Sequence, residues 1–167
     1  MAGAKALGLG LGLGLGLGLG LGLGLAAAPG AAQAGPDQIA IMLGSEHLGA
    51  RRNFEEANPG LFLIWTEAAW QNRLDIAVGA YRNSYGDGSL AVSAAYPLIR
   101  TADWGLEVFA GLAWYPGNGQ QFSHALGDVV PVAGLQGRWR NLFVQVIPSS
   151  GSGADAILSF GLVFPIE

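Results

Sequence analysis

The chain predicts an all-β protein, an eight-stranded antiparallel transmembrane β-barrel that follows a cleaved export leader. Residues 35–167 hold eight short segments of period-two apolar alternation, an even number, each near the length that crosses a hydrocarbon layer at a tilt. Charged side chains are scarce within those segments and gather in the connections, as in Arg51-Arg52-Asn53-Phe54-Glu55-Glu56. Trp65, Trp70, Tyr96, Trp104, Trp114, Tyr115 and Trp139 fall near segment ends, where an aromatic girdle belongs.

The chain opens with Lys5 as its only early base, an almost pure Leu-Gly alternation from Leu7 to Leu25, and the small-residue site Ala32-Gln33-Ala34. A basic start, an apolar run and an A-x-A site make residues 1–34 a secretory signal peptide. Half of the run is glycine, which opposes a stable helix; a retained anchor is the rival reading. Residues 35–167 then form one barrel domain, with no room for a second.

The first strand is expected at 39–47 and the second at 60–67. The third, 73–82, sets Leu74, Ile76, Val78 and Ala80 against Arg73, Asp75, Ala77 and Gly79. The fourth is expected at 89–97. The fifth, 105–115, sets Leu106, Val108, Ala110, Leu112 and Trp114 against Glu107, Phe109, Gly111, Ala113 and Tyr115. The sixth is expected at 129–136. In the seventh, 141–147, Leu142, Val144 and Val146 oppose Phe143, Gln145 and Ile147; in the eighth, 156–164, Ala156, Leu158, Phe160, Leu162 and Phe164 oppose Ile157, Ser159, Gly161 and Val163. One greasy face and one mixed face is the outward and inward pattern of a membrane barrel. A soluble barrel, such as a secreted lipid carrier, would place its aliphatics inside and its charges outside.

From a periplasmic N-terminus the long connections, 47–59, 83–88, 116–128 and 148–155, fall outside the cell and the shorter ones, 68–72, 98–104 and 137–140, inside. Arginine is the only strong base after the leader, with a mild acidic excess, so no nucleic-acid partner is expected. Cysteine is absent, and a closed barrel in lipid pairs its backbone internally without disulfides. His47 and His124 lack cysteine or paired acids at metal-ligand spacing, so neither a metal nor a cofactor is expected.

His47 ends the first outward strand and Asn83-Ser84 ends the next outward strand, which brings them to the same rim. An imidazole beside a hydroxyl is what acyl transfer requires: it takes the serine proton as an ester carbonyl is attacked, or takes one from a bound acceptor. The plainer reading is a solvated histidine and a turn serine. Ser123-His124 offers an esterase alternative, a lipid A deacylase on a similar barrel, but lacks a supporting acid. Pro131 falls inside the sixth strand, where it removes a ladder donor; Pro148 closes the seventh and Pro59 opens the second. Small inward residues, among them Ala77, Ala91, Ser93, Ala113 and Ser159, leave room for an acyl chain or accommodate Phe109, Phe143 and Tyr115. Arg51, Arg52 and Arg82 stand at the outer rim, where they can pair with lipid phosphates or serve solubility.

The motifs Ser45-Glu46-His47, Asn58-Pro59-Gly60, Tyr81-Arg82-Asn83-Ser84, Val129-Val130-Pro131-Val132-Ala133-Gly134 and Val144-Gln145-Val146-Ile147-Pro148 occur in that order over most of residues 35–167. In order and spacing they resemble the outer-membrane lipid A palmitoyltransferase family, PagP. The resemblance implies a barrel in the bacterial outer membrane that moves an acyl chain from a phospholipid to lipid A. It implies catalytic roles for His47, Asn83 and Ser84, with lateral lipid openings flanked by Pro59, Pro131 and Pro148. The family has an aspartate where Asn83 stands; asparagine fixes a ring by hydrogen bonding but does not stabilise an imidazolium as a carboxylate does. A non-catalytic outer-membrane barrel with a structural or lipid-binding role is therefore the alternative. Membrane lipids are the expected partners, and a monomer the expected state.

Overall fold

A computed structural model describes residues 35–149 and 152–166; the leader assigned to 1–34 lies outside the described residues. Eight strands run β1 (Gln38–Leu48), β2 (Gly60–Ala69), β3 (Leu74–Arg82), β4 (Gly88–Arg100), β5 (Trp104–Trp114), β6 (Val129–Trp139), β7 (Leu142–Pro148) and β8 (Ala156–Pro165). Each pairs antiparallel with its chain neighbours, and β8 returns to β1 to close the barrel. Closure leaves no strand without a paired neighbour on both sides, and eight strands give an interior that side chains nearly fill. Barrels of this construction are typical of outer-membrane proteins.

Every strand expected from the alternation is present, and two run longer by three residues or more. Expected to end at 97, β4 reaches Arg100 because a bulge between Pro97 and Ile99 carries the chain past the proline. Expected to end at 136, β6 continues to Trp139, which pairs with Trp104. The turns assigned to 98–104 and 137–140 shrink accordingly to 101–103 and 140–141.

The faces follow the alternation. Val78, Val108, Leu112, Val144 and Phe160 stand on the exposed outer surface, while Asp75, Phe109, Phe143 and Ser159 are buried inside. Trp70, Trp104 and Trp139 are exposed at the end with short turns, and Trp114 is exposed at the end with long loops. Tyr115 departs from the expected girdle: it is 8% exposed and packs inward against Ala113 and Val130. One residue beyond Trp114, the inward parity of β5 still holds, and the lumen claims the ring.

Three layers fill the interior. At the turn end Arg100 meets Asp75, lies 3.6 Å from Glu67 and 3.8 Å from Glu107, and Gln136 links Glu107 at 2.9 Å to Gln145 at 2.8 Å. The middle is apolar, built on Ala40, Met42, Phe143 and Val163 with Phe62 and Ile64 against them. Gly161 makes room here: a Cβ at that position would come within 2.7 Å of the Phe143 ring. The loop end is aromatic, with Tyr81, Tyr85, Tyr115 and Phe122 in edge-to-face and tilted contacts.

Two seams are short. β1 pairs with β2 only over Gln38–Met42, and β6 pairs with β7 only over Leu135–Trp139, whereas β5 and β6 pair along their full length. Both gaps lie at the loop end. Pro131 sits in β6 opposite Leu112 of β5 and above the last β6–β7 pair. A residue with no N–H is tolerated there because its other neighbour has already withdrawn.

Candidate functional site

A bulge between Met42 and Gly44 shifts the register of β1 against β8. Before it Ala40 and Met42 turn inward; after it Ser45 and His47 are the buried residues, while Glu46 and Leu48 are exposed. The bulge therefore decides that the imidazole faces the lumen. His47 is 5% exposed and lies flat on Phe54, 4.0 Å between ring centroids and 8° between planes. The charges of Glu56 and Arg52 both act on the ring.

Phe54 belongs to the β1–β2 connection, which is tied across the barrel mouth. The Glu55 N–H donates to the Ser84 carbonyl at 3.0 Å, the Arg51 N–H to the Gly153 carbonyl at 2.8 Å, and the Ser45 N–H to the Glu56 carbonyl at 2.9 Å. Ser84 and His47 consequently line one cleft with Arg52, Phe54 and Tyr85. The cleft adjoins a central cavity of about 160 Å³ that runs down through the apolar layer. Ser84, Tyr115, Phe122, Ser149 and Ile157 line both.

Asn83 is not in that cleft. Fully buried, it accepts from the Tyr85 N–H at 2.9 Å and the Asp87 N–H at 3.1 Å, and donates to the Ser89 hydroxyl at 2.9 Å. Its side-chain oxygen serves the backbone of the β3–β4 connection, the local capture that asparagine favours in turns, and its nitrogen is tied to the start of β4. It shapes the loop that presents Ser84 and does not orient His47. Asp87, a further acid near in sequence, accepts from Asn118 at 2.8 Å, and Glu46 points outward. His124 is exposed in the β5–β6 connection.

The three rim arginines differ. Arg51 is paired with Asp155 at 2.6 Å, and Arg82 with Glu55 at 3.6 Å. Arg52 lies over the Phe54 and Tyr85 rings at 4.9 and 5.0 Å and donates to the Gln121 side-chain amide oxygen at 2.7 Å and the Tyr85 hydroxyl at 2.6 Å. These partners are neutral, so its charge is the least compensated of the three. Burial pushes the Tyr85 phenol above its usual value, with Arg52 acting in the opposite sense. Pro59, Pro131 and Pro148 are exposed, beside the short β1–β2 seam in the first case and the short β6–β7 seam in the others. Pro131 and Pro148 also line the central cavity.

Sequence reasoning missed two groups. One is Arg100, whose inward reach depends on the β4 bulge; the inward parity of Asp75, Glu107 and Gln145 was the available sign that a cation would be needed. The other is Asn58, 2% exposed, which accepts a hydrogen bond from the Ser45 hydroxyl at 2.5 Å. Among the described residues no group of three or more histidine, cysteine or acidic side chains could hold a metal ion. No protein-family model and no curated protein matches the chain, so the barrel, its cavity and its cleft are read from their own geometry.

Proposed function

We propose that this protein is a bacterial outer-membrane enzyme that moves an acyl chain from a phospholipid to lipid A. The observation that carries the reading is the shared boundary of the two spaces: the cleft holding His47 and Ser84 opens against a mostly apolar cavity. A fatty chain fills the cavity and leaves its ester near an imidazole and a hydroxyl. The acceptor hydroxyl attacks the ester carbonyl, its proton passes through His47 to the departing oxygen, and the products are acylated lipid A and a lysophospholipid. Ser84 hydrogen-bonds the reacting hydroxyl, or carries the acyl group between donor and acceptor. Asn83 has a positioning role through the loop that bears Ser84.

Several features support the membrane setting. The outer surface carries exposed large apolar side chains on every strand, tryptophans stand at both ends, and a closed barrel satisfies its backbone in lipid as a monomer. The short seams beside Pro59 and beside Pro131 and Pro148 supply lateral entry for lipid at the loop end. Arg52, held only by neutral acceptors, is the rim arginine best disposed to take a lipid phosphate; Arg51 and Arg82 first have to leave their carboxylates.

Mass spectrometry of lipid A from cells expressing the wild type, His47→Ala and Ser84→Ala tests the reaction. An added acyl mass in the wild type that disappears in both variants is expected, with all three proteins showing heat-modifiable migration on gels. Unchanged lipid A beside a folded wild-type barrel favours a non-catalytic lipid-binding role. That second reading draws on Asn83, whose hydrogen bonds leave His47 without the carboxylate-like partner that such sites employ.

A further inference from the structure

Two buried side-chain polar atoms stand without a hydrogen-bond partner among the described residues, His47 Nδ1 and Asn58 Nδ2. They belong to one constellation. Ser45 and His47 turn inward two residues apart on β1, which places their Cα atoms about 6.6 Å apart. Ser45 in turn donates to Asn58 Oδ1 at 2.5 Å.

That hydrogen bond spans the short β1–β2 seam, with the amide placed so that its oxygen accepts from the hydroxyl and its nitrogen is left without a partner. The nitrogen has no structural duty left. A buried donor without an acceptor costs stability, and a hydrocarbon side chain of the same size would avoid that cost. Such a group is explained when a ligand brings the missing acceptor. Ser45, Asn58 and Ser84 all line the central cavity, beneath the cleft that holds His47. The cavity wall below is mostly aliphatic and aromatic until it reaches the polar floor at Asp75, Glu107 and Arg138, so the matching ligand is a hydrocarbon chain with an acceptor oxygen at its upper end.

We propose that Asn58 is the carbonyl-binding donor of this site, with its Nδ2 hydrogens meeting the carbonyl oxygen of a fatty-acyl ester whose chain fills the central cavity. Ser45 is a positioning residue that holds the amide in the donating orientation. When the ester carbon is attacked, its C=O π bond opens and the electron pair moves to that oxygen, where a fixed donor in a water-poor site counts most. The role in turnover rests on the acyl-transfer reading above, whereas the carbonyl contact stands without it.

The test uses the full barrel refolded in detergent micelles, with 2-heptadecanone labelled with ¹³C at the carbonyl as an ester mimic that cannot be cleaved. In the wild type and in His47→Ala the carbonyl resonance is expected downfield of its position in empty micelles. In Asn58→Ala it returns to the micelle position while the chain methylenes still contact the Met42 methyl group. Should alanine prevent folding, judged by heat-modifiable migration, Asn58→Leu, with the same number and branching of side-chain heavy atoms, takes its place. With phospholipid and lipid A as substrates, removing the donor is expected to lower kcat about 100-fold or more with KM little changed. A downfield carbonyl that persists in the Asn58 variants overturns the proposal, as does a bound chain with no shift in the wild type. An Asn58-dependent shift without any acyl transfer sinks the transfer reading and leaves the carbonyl site standing. Transfer at full kcat in Asn58→Leu keeps the transfer reading and overturns the role of Asn58 in turnover.

Discussion

The imidazole of His47 lies parallel to the ring of Phe54, 4.0 Å from centroid to centroid, and the Arg52 guanidinium stands 4.9 Å from the same phenyl centroid. The histidine is thereby oriented by a face, not by a carboxylate. Phe54→Leu keeps the bulk and removes the stack, whose worth beyond area burial is about 0.5–1.5 kcal/mol. The expected result is a folded barrel with acylation of lipid A slowed by up to about tenfold. An unchanged rate, read by mass spectrometry over a time course, means that the stack does not hold the ring in its working position.

Asn83→Asp separates two views of position 83. The carboxylate would accept from the Tyr85 and Asp87 N–H groups as the amide oxygen does, and the Ser89 hydroxyl would rotate to donate to the second oxygen. Because the side chain faces its own loop, the rate of acyl transfer is expected to stay within about twofold of wild type, below the 1.36 kcal/mol that marks a tenfold change. A rise of tenfold or more would show that the acid reaches His47.

Ala77 faces the cavity from β3, between the inward Asp75 and the inward Gly79. Ala77→Leu adds three carbons to a close-packed space, which displaces about three methylenes of a bound chain. The lipid A of cells carrying this variant is expected to gain a shorter acyl group, visible directly in its mass. The same acyl length as wild type would place the chain outside this cavity.

The polar layer at the turn end predicts an unequal pair of couplings. Asp75 is 10% exposed and also accepts from the Glu67 N–H at 2.8 Å, whereas Arg140 and Asp103 are 65% and 69% exposed. In double-mutant cycles followed by urea unfolding in lipid vesicles, Arg100 and Asp75 are expected to couple by about 1–3 kcal/mol. Arg140 and Asp103, screened by solvent, should couple by less than about 0.5 kcal/mol. Equal couplings would mean that the interior layer is as wet as the surface.

The strands were legible because inward and outward residues differ in kind along most of them. Leu106, Val108 and Leu112 against Glu107, Phe109 and Ala113 carry the β5 pattern in their chemistry alone. Where a bulge intervenes, parity misleads. Counting from Ala40 and Met42, His47 would face outward, and only the irregularity between Met42 and Gly44 turns it in. Arg100 escaped notice for the same reason, one bulge beyond Pro97. The pairing of His47 with Ser84 at one rim followed from strand count, but the direction of Asn83 did not. A residue ending a strand can serve the barrel or its own turn, and the local hydrogen bonds that decide between them have no signature in strand spacing.

The two interrupted ladders divide the upper barrel into unequal jaws. Above the pairs Met42 with Gly60 and Leu135 with Val146, strands β2 to β6 form one jaw and β7, β8 and β1 the other, joined below by continuous pairing. His47 rides on the three-strand jaw and Ser84 on the five-strand jaw, with Ser45 and Asn58 likewise divided between them. A guest that wedges the jaws apart breaks no strand-ladder pair but has to part Ser45 from Glu56 and Asn58, and it draws the histidine away from the serine. Under the proposed acyl transfer, aperture and reactivity would be one mechanical coordinate: the rim would admit when wide and react when narrow.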